Sequence, residues 1–425
     1  MQLDKVEHKL RSGRRALVIG GSVGGLFAAH LLRTMGWEVA VYERAADDLA
    51  GRGAGIGTRP ELFAVLRRIG IRLDESMGIV RVRSRKYLGP DGALVCELPL
   101  PSINSAWDRI YRPLREAMPG ECLHAGVALE RVSRNDSRVE AVFSDGSVVQ
   151  ADLMIGADGL HSTVRRECQP QALPRYTGYV AWRGVLDESA MPARVHADLF
   201  NYMSFTVIGH ELLLCMPMPG VSNEMRDDTR EGRRRFHFIW FRPVDYDTEL
   251  RELCTDASGT CHGASIAPPL IRAEVIAALR AQARLTLPPQ MASLVQLAPQ
   301  PLLQPIYDLE SPRVAVGRVA LVGDAAFVAR PHVATGITKA ALDAQCLVDS
   351  LAAAGEDIDA GLAAYDRQQQ PFGRSLVARA RLLGSYLETT PKSVEQQREA
   401  DHHRQPEVLL REYGAAGSIH DMGRT

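Results

Sequence analysis

At 425 residues the chain is too long for one compact core, so two domains are expected. With 50 basic against 51 acidic side chains, no charge excess points to nucleic acid or a membrane surface. No apolar run reaches the 18 residues of a membrane span, and Met1 to Arg15 is charged rather than signal-like. The cysteines (Cys96, Cys122, Cys168, Cys215, Cys254, Cys261 and Cys346) are odd in number and scattered. Cys254, Cys261 and His262 lack paired short-gap ligand spacing, so no metal is expected. A reduced, soluble, cytoplasmic protein follows.

The first element is a buried strand, Ala16-Leu17-Val18-Ile19, followed by Gly20-Gly21-Ser22-Val23-Gly24-Gly25. Leu26 to Met35 has helical periodicity, with Gly36 placed to end the helix. A second strand runs from Glu38 to Tyr42 and reaches Glu43, 23 residues after Gly20. That is the spacing of a carboxylate that binds ribose. Glycines permit the tight turn, and the helix N-terminus offers partial positive charge to a pyrophosphate. At this point FAD and NAD both remain open.

From about 85 to 158, strand-like segments at Glu140 to Phe143 and Leu153 to Ala157 accompany a helical stretch near Leu114 to Met118. The aromatic runs Tyr179-Val180-Ala181-Trp182, Phe205-Thr206-Val207-Ile208 and Phe236 to Phe241 predict an antiparallel sheet. Beyond about 305 an α/β signature returns, with a strand at Val319 to Val322 and a helical region after Gly336. The polar tail from about 391 reads as a surface helix, a homodimer arm or a disordered segment.

Two further segments bear on the cofactor. One runs from Asp152 through Ile155-Gly156-Ala157-Asp158-Gly159 to Arg165. The other runs from Arg318 through Val322-Gly323-Asp324-Ala325-Ala326 and Arg330-Pro331-His332 to Gly336 and Asp343. With the Gly-rich turn, they resemble the ordered motifs of the single-component FAD-dependent aromatic hydroxylases, with the 4-hydroxybenzoate hydroxylase fold. The likeness covers roughly residues 15 to 385. Arg330-Pro331-His332, the Gly-Gly-Ser turn and Thr177-Gly178-Tyr179-Val180-Ala181-Trp182-Arg183-Gly184 look most like the 2,6-dihydroxypyridine 3-monooxygenase branch, with urate hydroxylases more distant.

The resemblance implies an α/β, two-domain fold: a Rossmann-like FAD domain with an inserted, mainly antiparallel β-sheet substrate domain. The expected divisions are 1–175 and 301–390 for the FAD domain, 176–300 for the substrate domain and 391–425 for the tail. Residues 76–105 are expected to reach the substrate domain. By the same likeness Gly20, Ser22, Gly25, Glu43 and Arg44 bind the ADP half of non-covalent FAD, and Val23 and Leu129 are further cofactor-binding residues. Asp158 and Gly159 lie near the pyrophosphate and Asp324 holds the ribityl chain or pyrophosphate bridge. Gly55 and Pro331 to Gly336 and Ile337 line the flavin.

Several positions depart from the family pattern. Phe327 stands where a histidine is usual, and the flavin loop reads His332-Val333-Ala334-Thr335. Trp107 occupies the place of the pyrophosphate arginine, leaving Arg109 and Arg112 as displaced candidates.

The implied activity is hydroxylation of a small, electron-rich aromatic or N-heteroaromatic ring with NADH or NADPH and O2, through a flavin C4a-hydroperoxide. His332, His210 and Tyr202 are the candidate catalytic residues, and Phe205, Met216, Pro217, His237 and Trp240 join them as pocket candidates. The alternatives are a urate-type purine hydroxylase, a flavin halogenase or reductase, and a non-catalytic flavin-binding protein. The halogenase signature Trp-x-Trp-x-Ile-Pro is absent.

Overall fold

A computed structural model describes residues 13–49, 55–73, 78–134, 137–221, 227–263 and 265–414. Most of the N-terminal charged segment and the end of the tail, 415–425, therefore lie outside the described residues.

The apolar run at the start forms strand Arg15–Ile19, central in a six-stranded sheet. Leu153–Gly156 and Glu38–Glu43 flank it in parallel, and Val319–Leu321 and Leu123–Ala125 extend the parallel set. Buried on both faces, the inner strands Arg15–Ile19, Leu153–Gly156 and Val319–Leu321 read as continuous apolar runs rather than alternating ones, whereas the edge strand Leu123–Ala125 does not. Helices Val23–Thr34 and Gly336–Ala354 pack together beside the sheet.

An eight-stranded sheet forms the second layer. Its strands, edge to edge, are Phe327–Val328, Leu302–Glu310, Arg175–Asp187, Arg235–Pro243, Glu211–Met218, Tyr202–Ile208, Ser84–Leu88 and Leu94–Leu98. The sheet thus takes strands from both sides of 176–300, and the expected boundary at 300 falls short of strand Leu302–Glu310. All its pairings are antiparallel except Tyr202–Ile208 with Ser84–Leu88.

Alternation along Arg175–Asp187 sorts its side chains between two cores. Val180, Trp182 and Leu186 pack with Leu279 and Leu294 of helices Ala273–Thr286 and Pro289–Leu297. Tyr179 and Ala181 point the other way, sharing a core with Leu409, Leu410 and Tyr413. Helix Pro406–Glu412 and the turn after it therefore fold back onto the substrate sheet.

The strand–turn–helix at the start tolerates little change. A Cβ on Gly25 would lie 1.9 Å from the Gly20 carbonyl oxygen, whereas one on Gly24 would meet only the Ala340 Cβ, at 3.5 Å. Gly25→Ala should lower the free energy of urea unfolding by about 1–3 kcal/mol, the range for overpacking. Gly24→Ala should stay within about 1 kcal/mol of wild type, because alanine suits a helix better than glycine. Equal losses in the two variants would show that contact with Gly20 is not what requires glycine.

Candidate active site

Two cavities lie where the sheets meet. The first, of about 530 Å³, follows the Gly-rich turn and is lined by Gly20, Ser22, Val23, Glu43, Arg44 and Leu129. Asp158 and Gly159 line its far side. The helix beginning at Val23 has no side-chain cap, so its first-turn N–H groups face the space without an internal acceptor. Gly25 lies outside the lining, packed on Gly20. Glu43 fixes the turn: its carboxylate accepts the Gly21 N–H at 2.8 Å and the Ala45 N–H at 2.9 Å.

Asp158 has a structural duty. Its carboxylate accepts from the Ser162 hydroxyl and from the Thr163 and Val164 N–H groups, at 2.7 and 3.1 Å. It thereby holds the start of helix Thr163–Cys168, while burial raises its pKa.

The second cavity, of about 500 Å³, lies between the flavin-loop segment and the substrate sheet. Gly55, Pro331, Gly336 and Ile337 line it. Its floor is apolar, made by Met203, Leu214, Met216 and Ile239, and its polar wall carries Arg59, Arg85, Asn104, Arg183 and Tyr413. The two cavities share Trp107, Asp324, Gly336 and Ile337.

At that junction Asp324 exposes its side chain to the cavity wall, with no hydrogen bond or ion pair given to it among the described residues. Burial beneath protein raises its pKa, opposed by Lys339 and Arg165. Helix Gly336–Ala354 starts at the same junction, again without a side-chain cap.

The candidate catalytic residues fall elsewhere. His332 is fully buried behind the loop, its Nε2 2.8 Å from the Tyr179 hydroxyl, with Phe241 and Tyr413 around the ring. The neighbouring Pro331, Val333 and Ala334 line the cavity while His332 turns into the core. Burial, helped by Arg330, pushes its pKa down to about 3. His210 follows the Gly209 turn, and its Nδ1 lies 2.8 Å from the Tyr386 carbonyl. Tyr202 lies beneath the Lys86 ammonium, 3.2 Å from the ring centroid. Neither lines a cavity.

Of the remaining pocket candidates, Met216 lines the cavity and His237 sits behind Gly55. Phe205 packs on Tyr413, and Trp240 points to the opposite core. Pro217 contributes a carbonyl that accepts from Asn104 Nδ2 at 3.2 Å. Arg109 is committed to Asp228 and the Gly220 carbonyl, and Arg112 lines neither cavity. Trp107, stacked on Tyr111 at 4.5 Å, stands at the junction instead.

The polar wall went unread in sequence, although Arg183 carried a signal: a charge inside an apolar strand, in register with Tyr179 and Ala181. Tyr413 carried none, since it arrives from the far end of the chain.

A Gly-rich turn thus opens on one chamber, which joins a second chamber lined by the eight-stranded sheet, an arrangement suited to a nucleotide cofactor beside a small ligand. A family model described as an FAD binding domain matches residues 14–211 and 310–380, and one described as FAD binding domain-like matches 176–308. The chain is 32% identical to 2,6-dihydroxypyridine 3-monooxygenase of Paenarthrobacter nicotinovorans, over 88% of this chain and 91% of that protein. It is 28% identical to 3-amino-4-hydroxybenzoate 2-monooxygenase of Streptomyces cremeus, over 96% of each. The solved structure of 2,6-dihydroxypyridine-3-hydroxylase from Arthrobacter nicotinovorans superimposes with a TM-score of 0.82 at 29% identity, covering 90% of this chain and 95% of that one.

The chain belongs to the FAD-dependent aromatic monooxygenase family. It is an oxidoreductase with FAD as cofactor. No helix among the described residues is long and apolar enough to cross a membrane.

The burial of His332 has a pH consequence. Its pKa in the fold, about 3, lies below the 6.5 of an unperturbed histidine, so the unfolded chain takes up a proton that the fold refuses. Stability is therefore present above about pH 6.5 and falls as pH drops toward 3, by up to about 1.4 kcal/mol per unit. His332→Gln should lose less stability than wild type between pH 7.5 and 5.0 in urea unfolding. Identical losses would mean that His332 charges freely in the folded protein.

Proposed function

We propose that the protein hydroxylates a small, electron-rich aromatic or N-heteroaromatic ring, such as a hydroxypyridine, using NADH or NADPH and O2. The observation that carries this reading is the pair of joined cavities, with Asp324 and the Gly336 helix start at the junction and an apolar floor beyond. The residues fit FAD. An unpaired carboxylate and the uncapped start of helix Gly336–Ala354 face the junction, the uncapped start of helix Val23–Thr34 faces the first cavity, and Gly25 keeps the turn tight.

In this reading Gly20, Ser22, Val23, Glu43, Arg44 and Leu129 hold the ADP half, with Gly25 supporting the turn. Asp324 accepts from the sugar-like linker, and Gly55, Pro331, Gly336 and Ile337 border the ring. Bound flavin supplies hydride acceptance from NAD(P)H and activation of O2. The chain's part is positional. Met203, Leu214, Met216 and Ile239 keep water from the reacting ring, and the Gly336 helix start favours negative charge at the junction. NAD(P)H, a proton, O2 and the ring give NAD(P)+, water and the hydroxylated ring. A purine of the urate type is the second reading, favoured by the polar arginine wall and by 28% identity to an FAD-dependent urate hydroxylase of Klebsiella oxytoca.

Denatured protein should release FAD, and hydroxypyridines, purines and phenols should be screened for stimulation of NAD(P)H oxidation. The expected result is a stimulating ring recovered with one added oxygen atom. Release of FMN, or no stimulation by any class, would overturn the assignment.

Asp324→Ala removes the acceptor at the junction. Hydrogen bonds to a charged group contribute roughly 1.5–3 kcal/mol, so FAD affinity should fall by about one to two decades. Unchanged affinity in a flavin titration would place Asp324 outside the cofactor contacts.

A further inference from the structure

We propose that Arg183 and Tyr413 form a recognition subsite for an anionic oxygen on the aromatic substrate, with the C-terminal segment supplying one wall. The ligand chemistry is a ring carboxylate or an ionised ring hydroxyl. The assignment rests on the monooxygenase reading for what the ligand becomes, but not for its binding.

Arg183 sits in the middle of strand Arg175–Asp187, opposite Ile239 on one neighbour and Leu302 on the other. Ile239 is in turn opposite Leu214, so the guanidinium borders the apolar floor of the cavity. Its Nε is buried with no hydrogen-bond partner, and no ion pair engages the side chain among the described residues. The surface it retains belongs to the cavity wall.

An unpartnered Nε is not peculiar to Arg183, since Arg85 and Arg109 share it, but those guanidinium groups have partners through their other nitrogens. Arg330 meets Asp308 and Glu388, Arg109 meets Asp228, and Arg85 donates to the Leu410 and Tyr413 carbonyls. A partly desolvated cation without a countercharge is unfavourable, and a bound anion is the arrangement that relieves it. Asp324 shares the cavity but acts on Lys339, Asp343 and Arg165. The ionisable group that bears on Arg183 is the Tyr413 phenol, and burial pushes that phenol's pKa up, so it stands as a neutral hydroxyl rather than a countercharge.

Tyr413 is held in place from three sides. Its ring lies edge-on to Phe205 at 5.4 Å and to His332 at 5.7 Å. Arg85 Nη1 donates to its carbonyl at 2.5 Å, and the next residue, Gly414, donates its N–H to the His332 carbonyl at 2.8 Å. The Arg379–Glu412 ion pair, 3.2 Å, ties the preceding turn to helix Ile358–Leu383. A phenol and a planar guanidinium on one wall suit a planar oxyanion, since arginine's fork matches a carboxylate. The apolar floor beside them suits the ring that carries it.

The test titrates holoenzyme by its flavin difference spectrum with two matched pairs: nicotinate against nicotinamide, and 2,6-dihydroxypyridine against 2,6-dimethoxypyridine. Wild type should bind the anionic member of at least one pair about tenfold more tightly, and the pair that responds identifies the oxyanion. Arg183→Gln should abolish that preference with FAD content unchanged, Arg183→Lys should retain part of it, and Tyr413→Phe should reduce it. Absence of preference in both pairs for wild type, or its persistence in Arg183→Gln, overturns the subsite. Should Arg183→Gln fold poorly, the wild-type pairs and the other two variants still decide: a reduced preference in Arg183→Lys supports the subsite, and a preference undiminished in both Arg183→Lys and Tyr413→Phe overturns it. A clear anion preference without ring-stimulated NAD(P)H oxidation would instead overturn the monooxygenase reading and leave the subsite standing.

Discussion

The active site depends on one buried ion pair. Lys339 Nζ lies 2.6 Å from the Asp343 carboxylate, one helical turn along, and donates to the Gly323 carbonyl at 2.9 Å. The same carboxylate accepts the Gly323 N–H at 2.8 Å and the Gln369 amide at 2.6 Å. Helix Gly336–Ala354, the end of strand Val319–Leu321 and helix Ile358–Leu383 are therefore joined at a single point. Gly323 takes a left-handed φ of 60° there, and the turn sends Asp324 outward into the junction. Buried charges are stable only when their remaining hydrogen-bonding capacity is met, and here backbone and amide groups meet it. Loss of either partner would leave an unpaired charge under the flavin site and free the turn that aims Asp324.

A second network performs the same service for the loop over the other cavity. Arg330 holds Asp308 through two nitrogens at 3.0 and 2.8 Å and also engages Glu388, while Arg381 reaches Asp308 and Glu310. Strand Leu302–Glu310 belongs to the substrate sheet, whereas Arg381 belongs to helix Ile358–Leu383 of the nucleotide side. The arginine before the loop thus fixes one domain against the other. That rigidity lets Ala334 persist at φ 48°, a conformation that costs a non-glycine residue roughly 1–2 kcal/mol. Surroundings leave it little alternative, with the Gly57 and Gly414 backbones close against its side chain.

What was legible in the sequence was local. The strand, Gly-rich turn and helix at 15–36 depend on a few adjacent residues, and the pattern survives as read apart from shifts at the helix ends. The same holds for the segments around Asp158 and Asp324, whose glycines take φ of 77° and 60°. Side-chain direction within a tight turn was not legible. Pro331, His332 and Val333 form a single 3₁₀ turn, and a motif that puts the turn beside a ring cannot say which member faces it. Asp158 shows the same limit: its position is that of the motif, yet its carboxylate faces a helix start. The C-terminal wall was beyond reach altogether, because Tyr413 meets Phe205 and His332 through contacts that no spacing encodes.

Two unpaired, opposite charges line the substrate chamber, and they do not neutralise each other. Asp324 belongs to the junction with the nucleotide cavity, whereas Arg183 stands on the sheet among apolar side chains. Had the fold allowed them to meet, the pair would have been satisfied internally and the chamber closed by its own charges. Keeping them apart leaves a hydrogen-bond acceptor at the junction and a cation beside the apolar floor. The two differ in exposure: Asp324 keeps its access to solvent, whereas Arg183 is half-buried with an unpartnered Nε, so the lack of a partner weighs on the arginine. The separation therefore gives the chamber two ends of opposite polarity, one at the junction with the first cavity and one on the eight-stranded sheet.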